Sequence, residues 1–294
     1  MSLDTRSQGR LAPVATILLV LVAVWYAMAV RMNAPFLLSQ AENAGTTLSA
    51  SDLIARAWSQ ERPVLPAPHQ VLGELWKTTL EVAPGSRRSL VFHTGVTLSA
   101  TALGFLLGAL FGAVLAVAIV HIDILRKSLM PWIVASQTVP TLAIAPIIIV
   151  VLGSAGITGL LPKSLISAYL CFFPVAIGMV KGLQSPDTMQ LDLMHTYNAS
   201  KTQVFWKLRL PAAVPFAFAS LKVAIAIALV GAIVGELPTG AQAGLGARLL
   251  AGSYYGQTLQ IWAALFAAGI AAAAMVGLVG LAEKLAARAM GRQP

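Results

Sequence analysis

Of 294 residues, 57% are hydrophobic and only 11% are charged, and the mean hydropathy is +0.79. A soluble domain carries about 25% charged residues, so this composition excludes one and points to an integral membrane protein. The formal net charge of +9 needs no nucleic-acid partner, because the basic residues fall where membrane topology places them, and the single cysteine, Cys171, excludes an intramolecular disulfide and a CxxC metal or redox site.

Apolar stretches lie at about 12–32, 92–120, 129–152, 163–183, 213–236 and 258–281. Crossing a hydrocarbon core of roughly 30 Å takes about 20 helical residues. No apolar/polar alternation repeats at barrel spacing, so the expected fold is an all-α membrane protein with six transmembrane helices. Arg6 and Arg10 precede the first stretch and Ala27-Met28-Ala29 resembles a cleavage site. Its uncharged run from Leu11 to Val30 is longer than the core of a secretory signal, so the first span is expected to be retained.

Residues 33–91 form the one sizeable segment on the outer side. In "RPVLPAPHQVLGELWKTTL", Pro63, Pro66 and Pro68 impose an extended approach, and Val71, Leu72, Leu75 and Trp76 then follow at helical spacing. A short interfacial helix is predicted there. The chain is thus divided into a tail, first span and external segment (1–91), a five-helix transmembrane domain (92–288) with a polar loop over 184–212, and a cytoplasmic tail (289–294).

Within the second span, Gly104, Gly108 and Gly112 stand four apart on one helical face, where small residues let another helix approach closely. The third span carries Pro131, Pro140 and Pro146 with Gln137 and Thr138, and the fourth carries Pro174. Proline-kinked spans are tolerated where neighbours or a water-filled cavity satisfy the freed carbonyls, so Gln137, Thr138, Pro140, Pro146 and Pro174 are expected to line or bend a translocation pathway. Glu236 joins that set as an intramembrane acid; its place at the end of the fifth span, before Pro238, also suits a hydrogen-bonded interfacial acid. His93 reads as an interface residue and Cys171 as a small buried one. No span holds a set of carboxylates or histidines for a proton relay or a metal, and no Ser/His/Asp or paired-carboxylate constellation suggests an enzyme.

Charge fixes the expected orientation. Arg126, Lys127, Lys181, Lys201, Lys207, Arg209, Lys284, Arg288 and Arg292 share one side with Arg6 and Arg10, and the short loops opposite carry little beyond Lys163 and Arg248. By the positive-inside rule both termini are cytoplasmic.

The polar stretch Leu191–Pro211, "LDLMHTYNASKTQVFWKLRLP", is the unusual one. Ser185 as cap, Pro186 at the first turn and Asp187 near the positive end of the dipole predict a helix over 186–197. Asn198 ends it in the left-handed region. Ser200 and Gln203 form a capping box for a second helix over 201–209, and Pro211 and Pro215 disturb the entry to the fifth span. A solvated turn has no reason to expose Met194, Tyr197, Phe205 and Trp206 together, so this cytoplasmic helix-turn-helix is expected to dock into a partner.

Here the chain resembles the inner-membrane permeases of binding-protein-dependent ABC importers of type I, in the nitrate, taurine and alkanesulfonate branch. Their loop motif, EAA with a Gly and a closing Leu-Pro, matches Asp192-Leu193-Met194, Asn198 and Leu210-Pro211. "LPAPHQVLGEL", "TVPTLAIAPIIIVVLG", "FFPVAIGMVKGLQS", "LKVAIAIALVGAIVGEL" and "GLGARLL" extend the likeness over about 63–288. The departures are Asp for Glu, the bulkier Leu193 and Met194 for two alanines, and Asn for Gly. The resemblance implies coupling to an ATPase through Asp192, Leu193, Met194, Tyr197, Asn198, Ala199, Ser200, Val204, Phe205, Leu210 and Pro211. It also implies ATP and Mg bound by that partner rather than by this chain, which has no G-x-x-x-x-G-K-[ST] loop, an external solute-binding protein, a homodimer in the bacterial inner membrane, and a small-molecule substrate. "GELPTGAQAGLGARLLAGSYYGQTLQIWAAL" looks more like permeases for pyrimidine-type or thiamine-precursor compounds than for nitrate or taurine. The alternative, an ion-coupled secondary transporter, is weakened by the lack of internal ionisable residues and of inverted repeats.

Overall fold

A computed structural model describes residues 5–238 and 243–291, with the side chains of 5–11 left out. The tail predicted over 289–294 therefore lies, beyond Gly291, outside the described residues, as do the side chains of Arg6 and Arg10. The described residues hold no strand. In chain order the helices are α1 (Thr5–Asn43), α2 (Ala50–Ser59), α3 (Pro68–Trp76), α4 (Leu90–His121), α5 (Asp123–Ser136), α6 (Thr141–Ser154), α7 (Leu160–Leu183), α8 (Thr188–Thr196), α9 (Lys201–Val204), α10 (Leu210–Glu236), α11 (Leu245–Tyr254) and α12 (Thr258–Ala289). Two π-helical turns, Lys77–Glu81 and Phe205–Arg209, extend α3 and α9. Five helices among the described residues are long and apolar enough to cross a membrane, or six if α5 and α6 together make one span.

The chain forms two units. The first comprises the residues up to Val91 with Arg248–Phe266. Here α1 runs well past the predicted 12–32, to Asn43, and Asn33 shows why it must. Its fully buried amide donates to Ala57 O (3.1 Å) and Leu65 O (2.9 Å) and accepts from the N–H groups of Val64 (2.8 Å) and Leu65 (3.2 Å). One side chain thus satisfies the backbone of the proline-punctuated stretch, which has no secondary structure of its own to do so. Trp25 donates to Pro66 O (2.9 Å) and its ring lies against Trp262 and Phe266, 5.0 and 5.8 Å between centroids. Helix α2, capped by Ser49, was not anticipated from sequence.

The second unit comprises Phe92–Ala247 with the residues from Ala267 onward. Helices α4 and α10 pack on α7 through small residues. A Cβ at Gly104 would stand 2.6 Å from Ser164 O, one at Gly108 2.6 Å from Ala168 O, one at Gly112 2.6 Å from Phe172 O and one at Gly231 2.7 Å from Ser167 Cα. Where lipid removes any hydrophobic incentive, such close backbone approach supplies the packing energy. Cys171 is buried there and points its thiol at Gly104 O, 3.6 Å away.

The expected third span is not one kinked helix. Helices α5 and α6 meet at 98°. Pro140 lacks an N–H and drives the preceding residue out of the helical region, so α5 closes on bonds from Gln137 N to Val134 O and from Thr138 N to Ala135 O, and α6 restarts with Pro140 as its cap at φ −65°, ψ 115°. The fifth span differs in the opposite sense: Lys201–Glu236 is one continuous helical stretch of 36 residues. Pro211 cannot donate and its ring crowds the carbonyl four residues back. The π-turn Phe205–Arg209 absorbs this, with Leu210 N bonding to Phe205 O, and the helix continues instead of breaking.

Candidate functional site

The α8–α9 loop is built from caps. Asp187, not Ser185, caps α8: its carboxylate accepts from Gln190 N (2.7 Å), and the Gln190 side chain accepts from Asp187 N (3.3 Å). Ser185 instead donates to Gly182 O at 2.8 Å, and the helix starts at Thr188 rather than 186. Asn198 has φ +50°, the one positive value outside glycine among the described residues. Short polar side chains tolerate that region best. Ser200 and Gln203 then cap α9 reciprocally, at 3.3 and 2.8 Å.

The loop is fastened at its base. Arg209 donates to Leu183 O (3.0 Å), joining the ends of α7 and α10, and Phe205 meets His121 edge-on at 5.2 Å. Beyond this base, Leu193 is 55% and Tyr197 77% exposed, with Met189 and Trp206 also exposed. Asp192, Asn198 and Ser200 are exposed too, whereas Met194, Ala199, Val204, Phe205, Leu210 and Pro211 are half-buried. Met189 belongs to this face and was missed because it precedes the motif by a turn.

The residues read as a pathway do not form one cluster. Gln137, Thr138 and Pro140 are exposed at the α5–α6 bend, Pro146 is exposed in α6, and Pro174 is half-buried in α7. The Tyr169 hydroxyl holds the bend by donating to Ser136 O at 2.6 Å. Among the described residues no hydrogen bond or ion pair links any of these to Glu236.

Glu236 has its own enclosure. It is fully buried; Thr97 donates to it at 2.9 Å, the Gly246 N–H donates at 2.9 Å, and the Lys163 ammonium stands 3.9 Å away. Lys163 also donates to Ala243 O (3.1 Å), Gly244 N donates to His93 Nδ1 (3.0 Å), and Leu245 N donates to Thr97 Oγ1 (2.8 Å). Gly244, at φ +122°, lies so close that a Cβ would overlap the Glu236 carboxyl. Glu236, Thr97 and His93 between them satisfy the N–H groups of Gly246, Leu245 and Gly244 at the start of α11, and so hold residues 243–246 at the end of α10.

The fifth span does contain an ionisable residue, contrary to the sequence reading. Lys222, in α10, is paired with Glu283 of α12. The signal was available: a lone cation in "FASLKVAIAIALVG" demands a partner, and "GLAEKLAARA" supplies one. Among the described residues no group of three His, Cys, Asp or Glu could hold a metal.

The family described as binding-protein-dependent transport system inner membrane component matches residues 99–292. A probable ABC transporter permease protein of Haemophilus influenzae is 33% identical over 74% of this chain and 82% of its own length. The formylaminopyrimidine transport permease of Halalkalibacterium halodurans is 31% identical over 62% and 68% of the two chains, and the riboflavin transport system permease of Chloroflexus aurantiacus 32% over 76% and 80%. Permeases named for aliphatic sulfonates, nitrate and taurine match at 29%, 26% and 27% identity.

Proposed function

This chain belongs to the binding-protein-dependent transport system inner membrane component family and is the translocation subunit of an ABC importer, a multi-pass transport protein and not an enzyme; we propose that its α8–α9 loop is the handle by which an ATPase moves the pathway. Membership implies an ATPase and a solute-binding protein as partners. The observation that carries the proposal is the continuity of Lys201–Glu236: a subunit gripping Val204 and Phe205, with Leu193, Met194 and Tyr197 of α8 beside them, holds one end of a helix whose other end carries Glu236. Displacement of the loop is transmitted along this helix without a hinge, and the α5–α6 bend is where the neighbouring wall gives.

In this reading the domain boundaries stay at 1–91, 92–288 and 289–294, and the loop and both termini face the cytoplasm. ATP and Mg bind to the ATPase subunits, and two copies of this chain form the pathway. The substrate is a small polar organic solute of the pyrimidine or thiamine-precursor class, supported by relatives named for formylaminopyrimidine and riboflavin standing above those for nitrate and taurine. Reconstitution in vesicles tests the reading. Uptake is expected only with the ATPase, the binding protein and ATP, and to be lost with Asp192→Lys. Uptake driven by an ion gradient without the ATPase would show a secondary transporter instead.

A further inference from the structure

Lys222 lies on α10, the lever itself, and its pairing with Glu283 of α12 is unusual in its setting. It joins two different helices, with Lys222 inside the fifth apolar stretch (213–236) and Glu283 just past the end of the sixth (258–281). Phe216 meets Gly182 at the loop end of α7, and Lys222 stands six residues further along α10, about 9 Å deeper at 1.5 Å per residue. The side chains keep 36% and 33% of their surface accessible, so this chain does not seal them. Replacing an ion pair inside a protein by apolar side chains is often neutral or stabilising, so helix packing alone gives no reason for one here. Facing hydrocarbon would be costly, and intramembrane charges overwhelmingly face a bundle interior or a water-filled cavity. Nor is the pair directed at α7. That side of α10 is taken by Ser220 against Gly178 and Gly231 against Ser167, whereas the Lys222 stem passes over Gly280 of α12, where a Cβ would lie 3.7 Å from Lys222 Cε.

We propose that Lys222 and Glu283 form a polar station on the water-facing wall of the translocation pathway, matched to a neutral solute that carries both hydrogen-bond donors and acceptors. The ammonium offers donors and the carboxylate acceptors, while their charges cancel. A free anion finds no unpaired cation there, since it would have to part Lys222 from Glu283. Lys163 is likewise set against a carboxylate, that of Glu236. This inference rests on the importer-permease reading and narrows its substrate to the uncharged members of the class.

The test uses the assembled importer with Cys171→Ala, which removes the one native thiol, and Gly280→Cys, which places a thiol beside the pair and leaves both charges intact. Cationic and anionic methanethiosulfonate reagents are the probes. The introduced thiol is expected to react with both, at rates within about threefold of each other. Adding Glu283→Gln should shift the preference towards the anionic reagent by about tenfold, and adding Lys222→Met should shift it as far towards the cationic one, as a nearby unpaired unit charge requires. Titration of the companion binding protein should find a neutral heterocycle such as an aminopyrimidine as ligand. A complex that performs ATP-driven uptake but leaves the thiol unreactive to both reagents overturns the station, as does a binding protein selective for nitrate or an alkanesulfonate. A complex that takes up solute without ATP overturns the importer reading itself, so the two failures are separate.

Discussion

Two surfaces of the second unit follow opposite rules. Where α4 and α10 meet α7, the close approaches are made by small residues: Gly104 to Ser164, Gly108 to Ala168, Gly231 to Ser167 and Gly178 to Ser220. At the α8–α9 loop, by contrast, Leu193, Tyr197 and Trp206 stand in the open. The first surface is completed by the chain itself, and its backbones are too close to admit another methyl group. The second leaves apolar side chains exposed, and it is the face that the proposed ATPase contact would cover. Substitutions should therefore separate the two, with core changes damaging the permease as a folded object and loop changes damaging only what it is attached to.

The largest effect on the permease itself is expected from Gly108→Leu. A Cβ at Gly108 already meets Ala168 O at 2.6 Å and the Cys171 sulfur, and backbone cannot rotate away as a side chain can. Overpacking of this kind costs about 3 kcal/mol or more, and thermal unfolding in detergent should show a strongly lowered transition or no monodisperse protein. Next is Thr97→Val. It keeps the shape but removes the hydroxyl that donates to Glu236 and accepts from Leu245 N, leaving two buried groups short of a partner at a cost of about 1–3 kcal/mol. Thr97→Ser should restore most of the transition temperature.

How much of this was legible beforehand depended on whether the cause was local. Asn198, Ser200 and Gln203 act through their own backbone within three residues, so the turn and the second cap could be read directly. The shift of the first cap from Ser185 to Asp187 is a choice between adjacent polar residues, settled when Ser185 bonds back to Gly182 O. Pro140 announced a disturbance, but whether a proline kinks a helix or turns it through 98° depends on what receives the freed groups, such as Tyr169 on Ser136 O. Pro211 shows the converse, since a π-turn let the helix continue through it. Asn33, bonded to residues 24–32 positions away, and Lys222, whose partner lies 61 positions on, gain their meaning from distant chain. A reading by caps and periodicity does not reach them.

A third substitution probes the boundary between the surfaces. At φ +50° Asn198→Gly should be tolerated, whereas Asn198→Val forces a β-branched residue into the left-handed region at a cost of about 1–2 kcal/mol. Because Arg209 and Phe205 tie the loop at its base, that cost should appear as faster amide exchange in α8 and α9 with little change elsewhere.

The smallest effect on the permease, and the most informative for the comparison, is expected from Leu193→Ala. Leu193 is 55% exposed, so removing its side chain should alter the stability of the isolated permease by no more than about 0.5 kcal/mol. Affinity for the ATPase is a separate quantity. The importer motif carries alanine here, and two grooves are conceivable. If the partner's groove is matched to leucine, burying that side chain contributes about 1.5–3 kcal/mol, and truncation should weaken ATPase binding at least tenfold and slow uptake in proportion. If the groove is shaped for alanine, Leu193 is held out of it and truncation should tighten binding. The exposed apolar face of α8 favours the first outcome, because a leucine held out of its groove would leave apolar surface in water in the assembled importer. Measured ATPase affinity for the Leu193→Ala permease, set beside an unchanged unfolding transition, decides between them.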